Sequence, residues 1–134
     1  MELGKAIRRA KRVYLCGNGG SAANAIHIAN DLIACGIRAH ALTADIATLT
    51  AIANDFGYPW VFSHQVSLFG EPGDLLIALS GSGKSQNILA AIAAAEDIGM
   101  DVFRMFGGEL GMQSAEEAQL VLGHEAMRWL KANP

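Results

Sequence analysis

Apolar positions fall in short unbroken runs separated by stretches of helical spacing. Val13–Cys16 is one such run, and residues 74–79 (Asp-Leu-Leu-Ile-Ala-Leu) form a longer one. An apolar run without polar alternation suits a parallel strand covered on both faces. Residues 37–42 and 101–106 predict two further strands. Helices are expected over residues 3–11, 21–34, 60–69, 86–98 and about 113–131. Another is opened by Thr43 or Asp45 as cap, carries Ile46, Leu49 and Ile52, and breaks over residues 54–59. Gly36 and Gly99 stand where helices stop, and residues 70–73 (Gly-Glu-Pro-Gly) form a turn. Strands alternating with helices predict a three-layer α/β/α sandwich on a parallel sheet of about four strands.

Two strand-to-helix junctions stand out. The first is Gly17-Asn18-Gly19-Gly20-Ser21 and the second is Ser80-Gly81-Ser82-Gly83-Lys84-Ser85. Glycines let the backbone turn sharply and approach a ligand, and the first amides of the following helix lack internal partners. Such a junction suits an anion, above all a phosphate. In a right-handed parallel sheet both junctions fall at the carboxyl edge, where ligands bind. Together they could grip one phosphorylated ligand from two sides, with the hydroxyls of Ser80, Ser82 and Ser85 added to the amides. The second junction is no P-loop. That motif needs a glycine five positions before its Gly-Lys-Ser glycine, and Ala78 stands there.

Composition narrows the field. The chain has 134 residues, half of them apolar, which is enough for one domain with a core. No apolar run approaches the roughly 20 residues of a membrane span. The first residues carry no secretory pattern, and two cysteines, Cys16 and Cys35, fit a reducing compartment, so a cytoplasmic location is expected. A net charge of −3 argues against wide electrostatic binding of nucleic acid. An anionic ligand would depend on local amides and hydroxyls. The basic residues Lys5, Arg8, Arg9, Lys11 and Arg12 read as a solvated helix face.

His27 and Asp31 are spaced i, i+4 and share a helix face. Glu116 and His124, eight apart, can share a face of the last helix. These four could form a metal site, with zinc the natural candidate, or act as an acid–base set. Each pair alone is equally a simple structural contact. His40 and His64 have no evident partners.

These residues together resemble the sugar isomerase (SIS) domain family, and within it the phosphoheptose isomerases. The resemblance rests on Gly17–Ser21 with His27 and Asp31, on the stretch from Thr43 to Asp55-Phe56-Gly57, and on Ser80-x-Ser-Gly-x-Ser85. It covers about residues 12–105 and resumes in the last helix. It implies a flavodoxin-like SIS fold and a cytoplasmic homotetramer holding one zinc per subunit. The implied reaction converts sedoheptulose 7-phosphate to D-glycero-D-manno-heptose 7-phosphate, an early step toward the heptose of bacterial surface polysaccharide. By position, Asn18, Gly19, Gly20, Ser21, Asn54, Asp55, Ser80, Gly81, Ser82, Ser85 and Glu116 would meet the substrate. His27, Asp31, Glu116 and His124 would hold zinc, with Asp31 as base and His124 as acid.

The chain also departs from the family pattern. Asp31 stands for a usual Glu, Glu116 for Gln, Gly81 for Thr and Lys84 for Asn. Relative to the family, a shortened first helix and the loss of one helix–strand unit before the last helix are expected. These departures leave a second reading, a non-catalytic SIS module that binds a phosphosugar or a protein partner such as a replication initiator.

Overall fold

The computed structural model describes all 134 residues, Met1–Pro134. In chain order the elements are α1 (Glu2–Arg9), β1 (Val13–Cys16), α2 (Gly20–Ala34), β2 (Ala39–Ala41), α3 (Ile46–Asp55), α4 (Ser63–Phe69), β3 (Leu75–Ser80), α5 (Gln86–Ile98), β4 (Asp101–Phe106) and α6 (Met112–Ala132), with a 3-10 turn at Tyr58–Trp60. The four strands form one sheet of order β2-β1-β3-β4, and every pairing is parallel. This is the expected α/β/α sandwich on four strands.

The alternation of side chains along a strand explains why β1 and residues 75–79 of β3 are apolar throughout. Val13, Leu15, Leu75, Ile77 and Leu79 face one core with Leu3 and Ile7 of α1, Ile28 and Leu32 of α2, and Ala126 and Leu130 of α6. Tyr14, Cys16, Leu76 and Ala78 face the other core with Phe62, Val66 of α4, and Ile88, Ala91 and Ile92 of α5. The helices cover both faces, so neither strand has a polar side to present.

The structure shifts several expected boundaries. β2 is three residues long instead of six, because Gly36 and Ile37 are still closing α2: their amides donate to the carbonyls of Ile33 and Leu32. Asp45 is the cap of α3, its Oδ1 accepting from the Thr48 amide at 3.1 Å. The Thr48 hydroxyl, donating to Asp45 Oδ2 at 2.7 Å, and then that amide hold the Asp45 carboxyl below its usual range. The helix runs through Asn54 and Asp55, where a break was expected, and ends at Phe56. The expected helix over 60–69 divides into the 3-10 turn and α4. Arg8 does more than face solvent: its Nη2 donates to the carbonyls of Leu130 (3.0 Å) and Asn133 (2.9 Å), satisfying the free carbonyls at the end of α6.

α6 lies directly on α2. At Gly123 an added Cβ would stand 2.6 Å from Cγ1 of Ile28, which is fully buried. The hydrogen side chain lets the two helices approach, and it sets His124 beside the middle of α2. Gly123→Ala sets an overpacking cost of about 1–3 kcal/mol against a helix-propensity gain of about 1 kcal/mol. The expected net effect is a destabilisation of about 1 kcal/mol in urea unfolding. Because Ile28 is the obstacle, Gly123→Ala combined with Ile28→Ala should cost less than the two single changes summed. Strict additivity in that cycle would show that Ile28 is not what Gly123 accommodates.

Candidate metal and phosphate site

Both glycine–serine junctions follow the carboxyl ends of β1 and β3, which are adjacent and parallel, so they emerge side by side. The chain leaves β1 toward β2 and returns to β3 on the other side, making this gap the topological switch point of the sheet. The junctions touch through their asparagines. Asn18 Nδ2 donates to Asn87 Oδ1, and Asn87 Nδ2 donates to Asn18 Oδ1, each at 2.8 Å. Gly19, at φ +55°, makes the turn into α2 in a backbone region that side chains rarely adopt.

Between the junctions lies a cavity of about 60 Å³, lined by Asn18, Ser21, Leu79, Ser80, Gly81, Ser82, Ser85 and Met112. Hydroxyls shape the second junction from within. Ser80 Oγ accepts from the Gly83 amide at 2.9 Å and Ser82 Oγ accepts from the Lys84 amide at 3.1 Å. Each hydroxyl keeps its own hydrogen to donate. Ser85 caps α5 by position, yet its side chain makes no capping bond. Ser21 is buried and bonded to Gln119, so its hydroxyl serves a network behind the cavity. A larger groove of about 580 Å³ runs beside β2, lined by Arg12, Tyr14, Arg38 and Phe69 among others, and contains none of the expected site residues.

The second cluster stands farther along α2. His27 Nε2 and His124 Nε2 are 3.0 Å apart, and Asp31 Oδ2 lies 3.3 Å from the first and 3.6 Å from the second. Asp31 Oδ2 is shielded from solvent and accepts no hydrogen bond. A buried carboxylate oxygen without a donor is costly, and a cation removes that cost. Ligand atoms about 2.0–2.1 Å from a tetrahedral zinc stand about 3.3–3.4 Å from one another, which matches the three separations. The donor set of two imidazoles and a carboxylate fits a divalent metal and leaves a fourth position open.

Glu116, grouped with these three by resemblance, is not drawn into the cluster. Eight residues are about 12 Å of helix rise, so Glu116 and His124 reach different levels of α2. The Glu116 carboxylate lies over Gly20, where any Cβ would strike it, and its carbonyl accepts from Asn24 Nδ2 at 2.9 Å. Asn54 and Asp55 also lie apart: Asn54 Nδ2 donates to Asp55 Oδ1 at 3.1 Å on the exposed end of α3, and neither lines the cavity. Gly19 is open to solvent beside it. His64 packs against the rings of Phe56 and Trp60, and His40 is exposed on β2. Cys16, beside the first junction, is no nucleophile: burial pushes its thiol up to about 12.

Sequence reasoning missed Gln119 and Tyr58. Gln119 is buried on α6 and connects Ser21, Asn24 and the Met105 carbonyl. The only sequence signal was a polar residue in register with Ala115, Gly123 and Ala126 on the packed face.

The chain is thus a parallel α/β domain with paired glycine–serine junctions at its switch point and a histidine–carboxylate cluster farther along α2. The SIS domain model matches residues 3–107, and the chain belongs to that family. It is 45% identical over 107 residues to the phosphoheptose isomerase of Thiobacillus denitrificans, covering 75% of this chain and 54% of that protein. The phosphoheptose isomerase of Rhodospirillum rubrum is 43% identical over 122 residues, or 87% of this chain and 64% of that protein. The chain thus spans between half and two-thirds of the length of these relatives. The solved phosphoheptose isomerase GmhA of Neisseria gonorrhoeae superposes with a TM-score of 0.90 at 31% identity, covering 97% of this chain and 81% of that one. No helix of the chain is long and apolar enough to cross a membrane.

The cluster should bind a divalent metal, probed with zinc and read by competition with a chromophoric chelator. His27→Ala and His124→Ala should each weaken it by more than the roughly 10–100-fold that loss of a supporting residue costs. His40→Ala should leave affinity unchanged. Equal zinc affinity in all four proteins would rule out the cluster as the metal site.

Proposed function

We propose that the chain is a phosphoheptose isomerase acting on sedoheptulose 7-phosphate. The observation that carries this reading is the spacing of the two clusters along α2. His27 lies seven residues beyond Gly20, about 10 Å along the axis. That is comparable to the reach of an extended heptose phosphate from its phosphate to its carbonyl end. The cavity of about 60 Å³ is far below the roughly 300–1,000 Å³ of a pocket for a whole small molecule, so it suits the phosphate end alone. Ser80, Ser82, Ser85 and the amides of Gly19 and Gly20 would hold that end, and Glu116 would face sugar hydroxyls between the clusters. Asn54 and Asp55 would join from the exposed end of α3.

His27, Asp31 and His124 would hold zinc, which when bound polarises a carbonyl and so acidifies the adjacent C–H. With Asp31 Oδ2 and His124 Nε2 turned into the cluster, Asp31 Oδ1 and His124 Nδ1 remain to move protons. Asp31 takes a proton from C1 while His124 gives one to the C2 oxygen, forming an enediol. Return of the proton to C2, with His124 taking back the proton of the C1 hydroxyl, leaves the aldose. No atom is gained or lost, so no further reactant is needed. A cytoplasmic homotetramer belongs to the same proposal. α3 has no buried residue, and Ile46, Phe56, Trp60 and Leu68 lie exposed for a second copy.

A zinc-supplemented assay of sedoheptulose 7-phosphate tests the reading. Turnover should occur in the wild-type chain and fall by at least roughly 100-fold in Asp31→Ala and in His124→Ala, as expected for loss of a proton-transfer group. Phosphosugar binding without turnover in the wild type would replace this reading with the non-catalytic module.

A further inference from the structure

We infer that Tyr58 is a positioning residue that makes Asn18 a hydrogen-bond donor toward the phosphate cavity; this rests on the phosphate reading of that cavity. Tyr58 lies on the 3-10 turn after α3, forty residues from Asn18 in sequence, and its hydroxyl donates to Asn18 Oδ1 at 2.8 Å. The same oxygen accepts from Asn87 Nδ2 at 2.8 Å, and Asn18 Nδ2 donates to Asn87 Oδ1 at 2.8 Å.

An accounting of the Asn18 amide gives the consequence. The amide has two acceptor sites on oxygen and two N–H donors. Tyr58 and Asn87 occupy both acceptor sites, and Asn87 takes one donor. What Asn18 keeps is a single N–H, and Asn18 lines the cavity. The reciprocal pair alone does not fix this outcome. Turning both amides over would preserve their two mutual hydrogen bonds. In that arrangement Asn18 Nδ2 would serve both Asn87 and Tyr58, and Asn18 would present only an oxygen lone pair to the ligand. A lone pair repels a phosphate. A phenol hydroxyl donates more readily than it accepts, so Tyr58 selects the arrangement in which Asn18 offers N–H. Asn87, only 3% exposed, holds the other side of the pair, away from water that could compensate a flipped amide.

The residue is suited to a clean test. Tyr58 is 53% exposed, so Tyr58→Phe removes the hydroxyl with little effect on the core. The experiment measures the side-chain amide NMR signals of Asn18 and Asn87 in the zinc-free and zinc-loaded chain, inorganic phosphate affinity by titration, and KM and kcat for sedoheptulose 7-phosphate. In Tyr58→Phe the Asn18 and Asn87 amide signals should shift before any ligand is added. The phosphate dissociation constant and KM should rise roughly 3- to 10-fold, as for loss of one hydrogen bond, with kcat and Tm unchanged. Unmoved amide signals, or unchanged phosphate affinity in a wild-type chain that does bind phosphate, would overturn the role of Tyr58 while leaving the phosphate reading intact. A wild-type chain that binds neither phosphate nor phosphosugar would overturn both, whatever the amide signals do.

Discussion

The close crossing of α6 over α2 is the contact on which the candidate site depends. His27 and Asp31 belong to one helix and His124 to the other, so their separations are set by how near the two axes come. Gly123 against Ile28 sets that approach. The rest of α6 is held along its length. Gln119 ties it to Ser21 and Asn24 of α2 and to the Met105 carbonyl of β4. Trp129 covers Gly4 of α1, and Arg8 satisfies the final carbonyls. A helix fixed at several levels cannot slide along its partner without breaking buried hydrogen bonds, and a buried polar group left unpaired is costly. The cluster geometry is therefore a property of the packed helix pair more than of its three side chains.

Electrostatics at the site is local. The chain is acidic overall, and its general field does not attract an anion. Attraction comes from the N-termini of α2 and α5, where the amides of Gly20, Gln86 and Asn87 have no backbone acceptor and the helix dipoles point the same way. The Glu116 carboxylate lies over the start of α2, the end of a helix where negative charge is favourable. It therefore stands beside the leading amides of α2, while the serines of the second junction line the cavity.

The parts of this structure legible in the sequence were those written in local apolar pattern. β1, α5 and β4 coincide with their expected runs because each is a largely apolar run that stops at a glycine, at Gly17, Gly99 and Gly107. β2 was overestimated because residues beside it are apolar for a different reason: Ile37 closes α2, and Leu42 enters the second core while its amide still bonds Leu15. The i, i+4 pair of His27 and Asp31 was legible because a helix places both on one face. The meeting with His124 depended on a resemblance, since ninety-seven residues separate it from His27. Tyr58 and Gln119 carried almost no signal. Their roles are hydrogen bonds to partners far away in sequence, and periodicity records burial without recording partners.

The short passage from β4 to α6 shapes the cavity at the second junction. Only Gly107 to Gly111 separate the two elements, so α6 begins immediately above the second junction. Met112 consequently lies against Gly81, where any Cβ would meet its sulfur, and Ala115 lies against Gly107 in the same way. Glycine at 81 leaves room for the Met112 thioether, and a side chain there would need Met112 to move out of the cavity wall. The same joint contributes to the small size of the cavity, since it brings Met112 into the lining. The short connection, the glycine and the narrow cavity thus meet in one steric arrangement around Met112.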